Sequence, residues 1–170
     1  MKTILSKLAI FLGALMMTGA AQSNSQTFNV TANVAQGCLI AVKTHMAFGP
    51  LNVISDTPAE KTATFEVTCT NGSGNVWLTF ASAHGNTPAP ASTFKMIHGD
   101  GTATLTYQLY KANNSTMIAI DTPTPFGELV ADGTVKLLTI YGRIPAEAKK
   151  GALAGAYTDT VTMTATYSAT

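Results

Sequence analysis

Apolar and polar residues alternate with a period of two along most of this chain, as in strands that turn one face to a core and the other to water. Phe28, Val30, Ala32 and Val34 alternate with Asn29, Thr31 and Asn33, which predicts one half-buried strand. After Gln36-Gly37 the run Cys38-Leu-Ile-Ala-Val42 predicts a short, fully buried one. Between Thr62 and Thr70, Ala63, Phe65, Val67 and Cys69 share one face and Thr62, Thr64, Glu66 and Thr68 the other. Val76-Trp-Leu-Thr-Phe80 comes next, and Leu105, Tyr107 and Leu109 then alternate with Thr104, Thr106 and Gln108. Val135 to Ile144 is a long apolar strand closed by Pro145. In the last segment Tyr157, Asp159, Val161, Met163, Ala165 and Tyr167 lie on one face and five threonines on the other.

Turn residues separate these runs: Gly49-Pro50, Asp56-Thr-Pro58, Asn71-Gly-Ser-Gly74, Gly99-Asp-Gly101, Thr122-Pro-Thr-Pro125 and Asp132-Gly133, with an Ala-, Pro- and Gly-rich loop through Ser92. Glu147 to Gly151 reads as a helical turn or an exposed loop, and no segment sustains a helical period. Roughly six to eight strands in one domain predict an all-β, immunoglobulin-like antiparallel sandwich.

Residues 1–21 break the pattern. Lys2 and Lys7 precede the apolar run Leu8 to Met17, which ends in Thr18-Gly-Ala-Ala21, as in a secretory signal peptide cleaved after Ala21. The run is about ten residues, short of the roughly twenty that span a bilayer. Loss of Lys2 and Lys7 leaves eight basic and nine acidic residues, a net charge of −1. With 11% charged residues and no cluster of either sign, the chain lacks the electrostatic footprint of a nucleic-acid binder. Its 46% hydrophobic content excludes a disordered polymer, and roughly one residue in six is Thr, which favours strands. In an exported chain, a disulfide is the simplest use of Cys38 and Cys69.

Candidate chemistry is sparse. His45, His84 and His98 are isolated in sequence, no carboxylate pair suggests acid–base work, and no Gly-x-Ser-x-Gly elbow occurs. The reading is therefore of a chain without catalytic residues, metal, cofactor or small-molecule substrate. Asn29-Val-Thr31, Asn71-Gly-Ser73, Asn113-Asn-Ser115 and Asn114-Ser-Thr116 match the glycosylation pattern, a cheap match in so Thr-rich a chain.

From about Phe28 to Tyr167 the sequence resembles the spore coat protein U domain family, which includes subunits of archaic chaperone-usher pili. The marks are Cys38, Phe48-Gly49, Val67-Thr-Cys69, Leu105-x-Tyr-x-Leu-Tyr110, Ile140-Tyr-Gly-Arg-Ile-Pro145 and Gly155-x-Tyr-x-Asp-Thr-Val161. Between Asn113 and Gly133 only Phe126-Gly127 carries the resemblance.

The resemblance implies a sandwich lacking its last strand, completed by a strand donated from a neighbouring subunit. It implies that residues 22–36 are an N-terminal extension whose Phe28, Val30, Ala32 and Val34 enter the next subunit's groove, and that 37–170 form the pilin domain. Val161, Met163, Ala165 and Tyr167 would line the acceptor groove, held beforehand by a periplasmic chaperone. Sister subunits and an outer-membrane usher are the other implied partners, and a cell-surface pilus for adhesion and biofilm formation the implied product. From alternation alone, residues 28–34 serve equally as the domain's own first strand. That alternative gives a coat-like structural protein or carbohydrate-binding module with a self-completed sandwich. A tip adhesin would need a second domain, and an exported metal-dependent β-sandwich enzyme would need bound metal.

Overall fold

The computed structural model describes residues 26–72, 74–85, 92–111 and 116–167. The expected signal peptide, much of the loop before Ser92, and Ser73 and Asn113 to Ser115 of the glycosylation patterns lie outside the described residues. The chain divides into two units, Met1–Asn33 and Val34–Thr170. In the first, residues 26–33 form no regular structure, and the predicted half-buried strand is absent: Phe28 and Val30 are 86% and 81% exposed.

The second unit is a β-sandwich. Its strands are β1 (Cys38–Thr44), β2 (Ala59–Cys69), β3 (Asn75–Ser82), β4 (Phe94–His98), β5 (Thr104–Tyr110), β6 (Thr124–Val130), β7 (Val135–Ile144), β8 (Tyr157–Thr158) and β9 (Val161–Tyr167), with a one-turn helix α1 (Ala146–Lys149) after β7. Among the described residues, β1-β2-β7-β5-β4-β8 form a six-stranded antiparallel sheet and β6-β3-β9 a three-stranded one. β2 and β7 form its long central ladder, from Ala59 opposite Ile144 to Thr68 opposite Val135. Period-two patterning puts Ala63 and Val67 of β2 and Leu138, Ile140 and Ile144 of β7 on the inner face, all buried. Across the core they meet Leu78 and Phe80 of β3 and Phe126 and Leu129 of β6.

Four expectations change. Cys38 to Val42 is not fully buried: β1 is an edge strand with β2 as its partner, so Leu39 and Val42 are exposed. Thr122 to Pro125 is not all loop, because Thr124 and Pro125 begin β6, an edge strand where a proline's missing N–H costs no ladder bond. The last segment is two strands: β8 pairs with β4 in the large sheet and β9 with β3 in the small one. β4, five residues between an Ala/Pro-rich loop and Gly99, has no counterpart in the sequence reading.

The turns have identifiable fasteners. Asp100 Oδ1 accepts the Thr102 and Ala103 amides at 2.8 and 3.2 Å, and Asp132 Oδ1 accepts that of Thr134 at 2.9 Å. The Thr102 amide, then His98 and Ala103, hold the Asp100 carboxyl well below the usual carboxylate range. At Asp132, Lys136 is the largest cause of the same downward displacement. In α1, read from sequence as exposed or helical, Lys149 is buried and its Nζ donates to the carbonyls of Asn52 and Thr57 at 3.1 and 2.7 Å. It satisfies the loop that leads into β2.

Cys38 and Cys69 are register partners across β1 and β2 and form a disulfide. The bond closes a loop of 31 residues and should contribute about 3–4 kcal/mol by constraining the unfolded chain. Reduction, or Cys38→Ser with Cys69→Ser, is expected to lower the unfolding free energy of the mature protein by that amount, read from urea denaturation curves with and without reductant.

Candidate functional site

Strands lie about 4.8 Å apart within a sheet, so six strands span roughly 24 Å between outer axes and three only about 10 Å. The small sheet therefore leaves part of the large sheet's inner face uncovered. The opening is a groove of about 520 Å³. Val42 and Thr44 at the end of β1 form one wall, and Val161 and Met163 of β9 the other. Its floor is Phe65, Phe80, Tyr107, Leu109 and Ile140, and His45, Thr158, Asp159 and Thr160 supply its polar groups. Each wall is a sheet edge: among the described residues β1 pairs with β2 and β9 with β3, each on one side. An apolar trough flanked by unpaired backbone edges can accept an extended strand, with ladder hydrogen bonds giving affinity and alternate side chains giving register.

The residues singled out in sequence fall as follows. Val161 and Met163 line the groove, and Ala165 is half-buried against the core farther along β9. Tyr167, at the strand's end, is not among the lining residues; its hydroxyl donates to the Gln36 carbonyl at 2.7 Å. Thr70 holds the same segment, its amide donating to Gly37 at 2.8 Å and its hydroxyl to Ala35 at 3.4 Å. Val34, just before this anchored root, is 77% exposed, and Ala32 is exposed as well. Val34 is not among the groove's lining residues.

Sequence reading missed the floor and a buried carboxylate. Asp159, its side chain 3% exposed, lies where the chain leaves one sheet for the other. Its Oδ2 accepts hydrogen bonds from the hydroxyls of Ser82 and Tyr107, both at 2.7 Å; its Oδ1 accepts the Thr160 amide at 2.8 Å and faces His84 Nδ1 at 3.2 Å. Burial, then Asp159, pushes the Tyr107 hydroxyl well above the usual tyrosine range, so it remains a donor. The signal was present: a carboxylate on an otherwise apolar alternating face needs buried donors. Ser, His and Asp meet here, but Ser82 gives its proton to the carboxylate and its oxygen accepts the His84 amide at 3.1 Å. A nucleophilic triad instead needs the serine hydrogen-bonded to the imidazole. Among the described residues, no three His, Cys, Asp or Glu side chains form a group that could hold a metal ion.

Two glycines sit where a side chain approaches the backbone closely. A Cβ on Gly142 would lie 2.0 Å from Met46 Sδ, the side chain that packs at the groove. Gly155 has φ +147°, and its Cβ would lie 2.0 Å from His98 Nε2. These are the glycines of Tyr141-Gly-Arg-Ile-Pro145 and Gly155-x-Tyr-x-Asp159.

The family model of the Spore Coat Protein U domain matches residues 24–164. The chain belongs to the spore coat protein U domain family. No curated protein matches it. Among solved structures, this spore coat protein U domain is similar to the P pilus rod subunit PapA, with 19% identity and a TM-score of 0.55, covering 85% of this chain and 100% of that one. It is also similar to a subunit in a structure of a chaperone-usher pilus concerned with rod uncoiling, at 16% identity and TM-score 0.53, covering 88% and 98%. The shared property is the fold, an immunoglobulin-like sandwich.

Replacing Asp159 with Leu leaves the Ser82 and Tyr107 hydroxyls without their acceptor and is expected to destabilise the domain by about 2–4 kcal/mol. Asp159→Asn keeps an acceptor and should cost less. Equilibrium denaturation of both variants checks the order.

Proposed function

We propose that this chain is a structural subunit of a secreted chaperone-usher pilus that polymerises by donor-strand complementation. The observation that carries the reading is the groove, an apolar trough between the unpaired edges of β1 and β9. Membership of the spore coat protein U domain family and a fold shared with pilus rod subunits support it. So does the extension. Phe28, Val30, Ala32 and Val34 are exposed and alternate with polar residues, and residues 26–33 form no regular structure of their own. A self-completed coat or carbohydrate-binding module would pair that segment within its own chain.

Residues 1–21 direct export, 22–36 form the N-terminal extension that supplies the donor strand, and 37–170 form the pilin domain. The four apolar side chains enter the groove of the next subunit, where their transfer from water is worth roughly 4–8 kcal/mol before ordering costs. Until then a periplasmic chaperone covers the groove, because an open edge over an apolar trough invites aggregation. An outer-membrane usher exchanges the chaperone for the next subunit. The assembled fibre stands on the cell surface and supports adhesion and biofilm formation. No step requires a cofactor, a nucleic acid, a small-molecule substrate or catalysis.

The test compares mature protein from a periplasm with a version lacking residues 22–33, which spares the root held by Thr70 and Tyr167. The full protein is expected to run as a ladder of stable multimers on unheated gels, and the deletion to abolish the ladder while a free 26–36 peptide occupies the groove. A truncated monomer that unfolds and is not rescued by the peptide in trans would make the segment a cis strand. Val30→Asp is expected to suppress the ladder at least tenfold, with chaperone binding retained.

A further inference from the structure

The outer face of the large sheet carries an apolar patch that the groove does not use. In the ladders, Leu39 of β1 faces Thr68, which faces Val135; in the next outward row Ala41 faces Glu66, which faces Leu137. Residues directly opposite in antiparallel strands share a face, so Leu39, Val135 and Leu137 stand together on the solvent side, two strands or about 10 Å across. They are 72%, 61% and 65% exposed. Thr68 lies between Leu39 and Val135, and Glu66, ion-paired with Lys43 at 3.2 Å, lies between Ala41 and Leu137. A shallow depression lined by Gly37, Leu39, Thr68 and Gly133 adjoins the patch. Three large exposed aliphatics within about 10 Å of one another, with a charged pair beside them, have the anatomy of a small protein interface, which scattered surface leucines do not.

The position of the patch names its occupant. Leu39 follows directly on the anchored root of the extension, where Tyr167 and Thr70 hold the carbonyls of Gln36 and Gly37. From Val34 to Leu39 the chain can span at most about 17 Å. If Val34 is buried in the next subunit, as the proposed function requires, that subunit's surface must stand within this distance of the patch. A root tied at two points gives it little freedom to swing away. We infer that Leu39, Val135 and Leu137 form a second, side-chain contact with the copy of this chain that receives the donor strand, and that this contact sets the angle between consecutive subunits. The inference rests on the donor-strand reading and goes beyond it, since strand addition by itself specifies no contact between the outer faces of the two domains.

The test uses pili assembled from full-length chain carrying Leu137→Glu, with Leu39→Gln as a second variant on a different strand. Each is compared with the unaltered pilus by unheated gel and by electron microscopy. The multimer ladder is expected to persist in both variants while fibre persistence length falls at least threefold. Fibres of unchanged stiffness and subunit spacing from both variants would overturn the inference. Loss of the chaperone-bound subunit, with surviving fibres unchanged, would also overturn it and make the patch a chaperone surface. Absence of a ladder in the unaltered protein would overturn the donor-strand reading itself, and this inference with it.

Discussion

Three strands cannot cover six. The small sheet β6-β3-β9 is anchored to the large one by Leu78, Phe80, Phe126 and Leu129, and that burial holds the two layers in contact over part of their width. Beyond it the inner face of the large sheet continues with no strand above it among the described residues, and the backbone edges of β1 and β9 border the gap. An ordinary sandwich closes such a gap with another strand of its own. Here the described chain supplies none, so the apolar floor and the unpaired edges are two aspects of the same deficit. One extended segment laid beside β9 would remedy both.

The deficit sets the demands on the groove's surroundings. Its polar groups lie where the chain changes sheets, β8 pairing with β4 and β9 with β3, and an unfastened crossover beside an open trough would splay the layers. Asp159 prevents this by accepting hydrogen bonds from Ser82 at the end of β3 and Tyr107 in β5, one from each sheet. A buried carboxylate with several donors is directional in a way that apolar packing is not, and it fixes the crossover at one residue. At the other end of β9, Tyr167 ties the root of the extension to the strand that borders the groove. The disulfide pins β1, which has a partner strand on one side only, to the ladder it belongs to.

Much of this is legible in the chain because period-two alternation is strong where one face is buried and the other is threonine. β2, β3, β5 and β7 follow from it within a few residues, and the order of the family marks points to the sandwich. The failures share a cause. β8 and β9 keep a single alternation through Asp159 and Thr160, so the change of sheet leaves no trace in the period. β6 contains Pro125 and Gly127, residues that signal turns unless the strand is known to lie at an edge, and edges are tertiary facts. β1 looks buried because Leu39, Ile40, Ala41 and Val42 are all apolar, yet it lies at the rim. The groove floor could not be read at all, since Phe65, Phe80, Tyr107 and Ile140 come from four strands brought together only by folding.

The direction of the chain at the root bears on whether the extension completes its own sandwich or another's. β9 runs from Val161, beside the end of β1, to Tyr167, whose hydroxyl holds Gln36. A segment 28–34 folded back from that root into its own groove would have to run parallel to β9. A segment arriving from another subunit carries no such constraint and can run antiparallel to the same edge. Antiparallel ladders are somewhat more stable per residue, so a donated antiparallel strand would pair better with this edge than a cis parallel one, at equal side-chain burial. In the proposed assembly the donor would leave one end of its own subunit and fill a groove elsewhere on the next, a head-to-tail contact between unlike surfaces. Such contacts generate open fibres unless the rotation happens to close, which makes a polymer the natural product of this geometry.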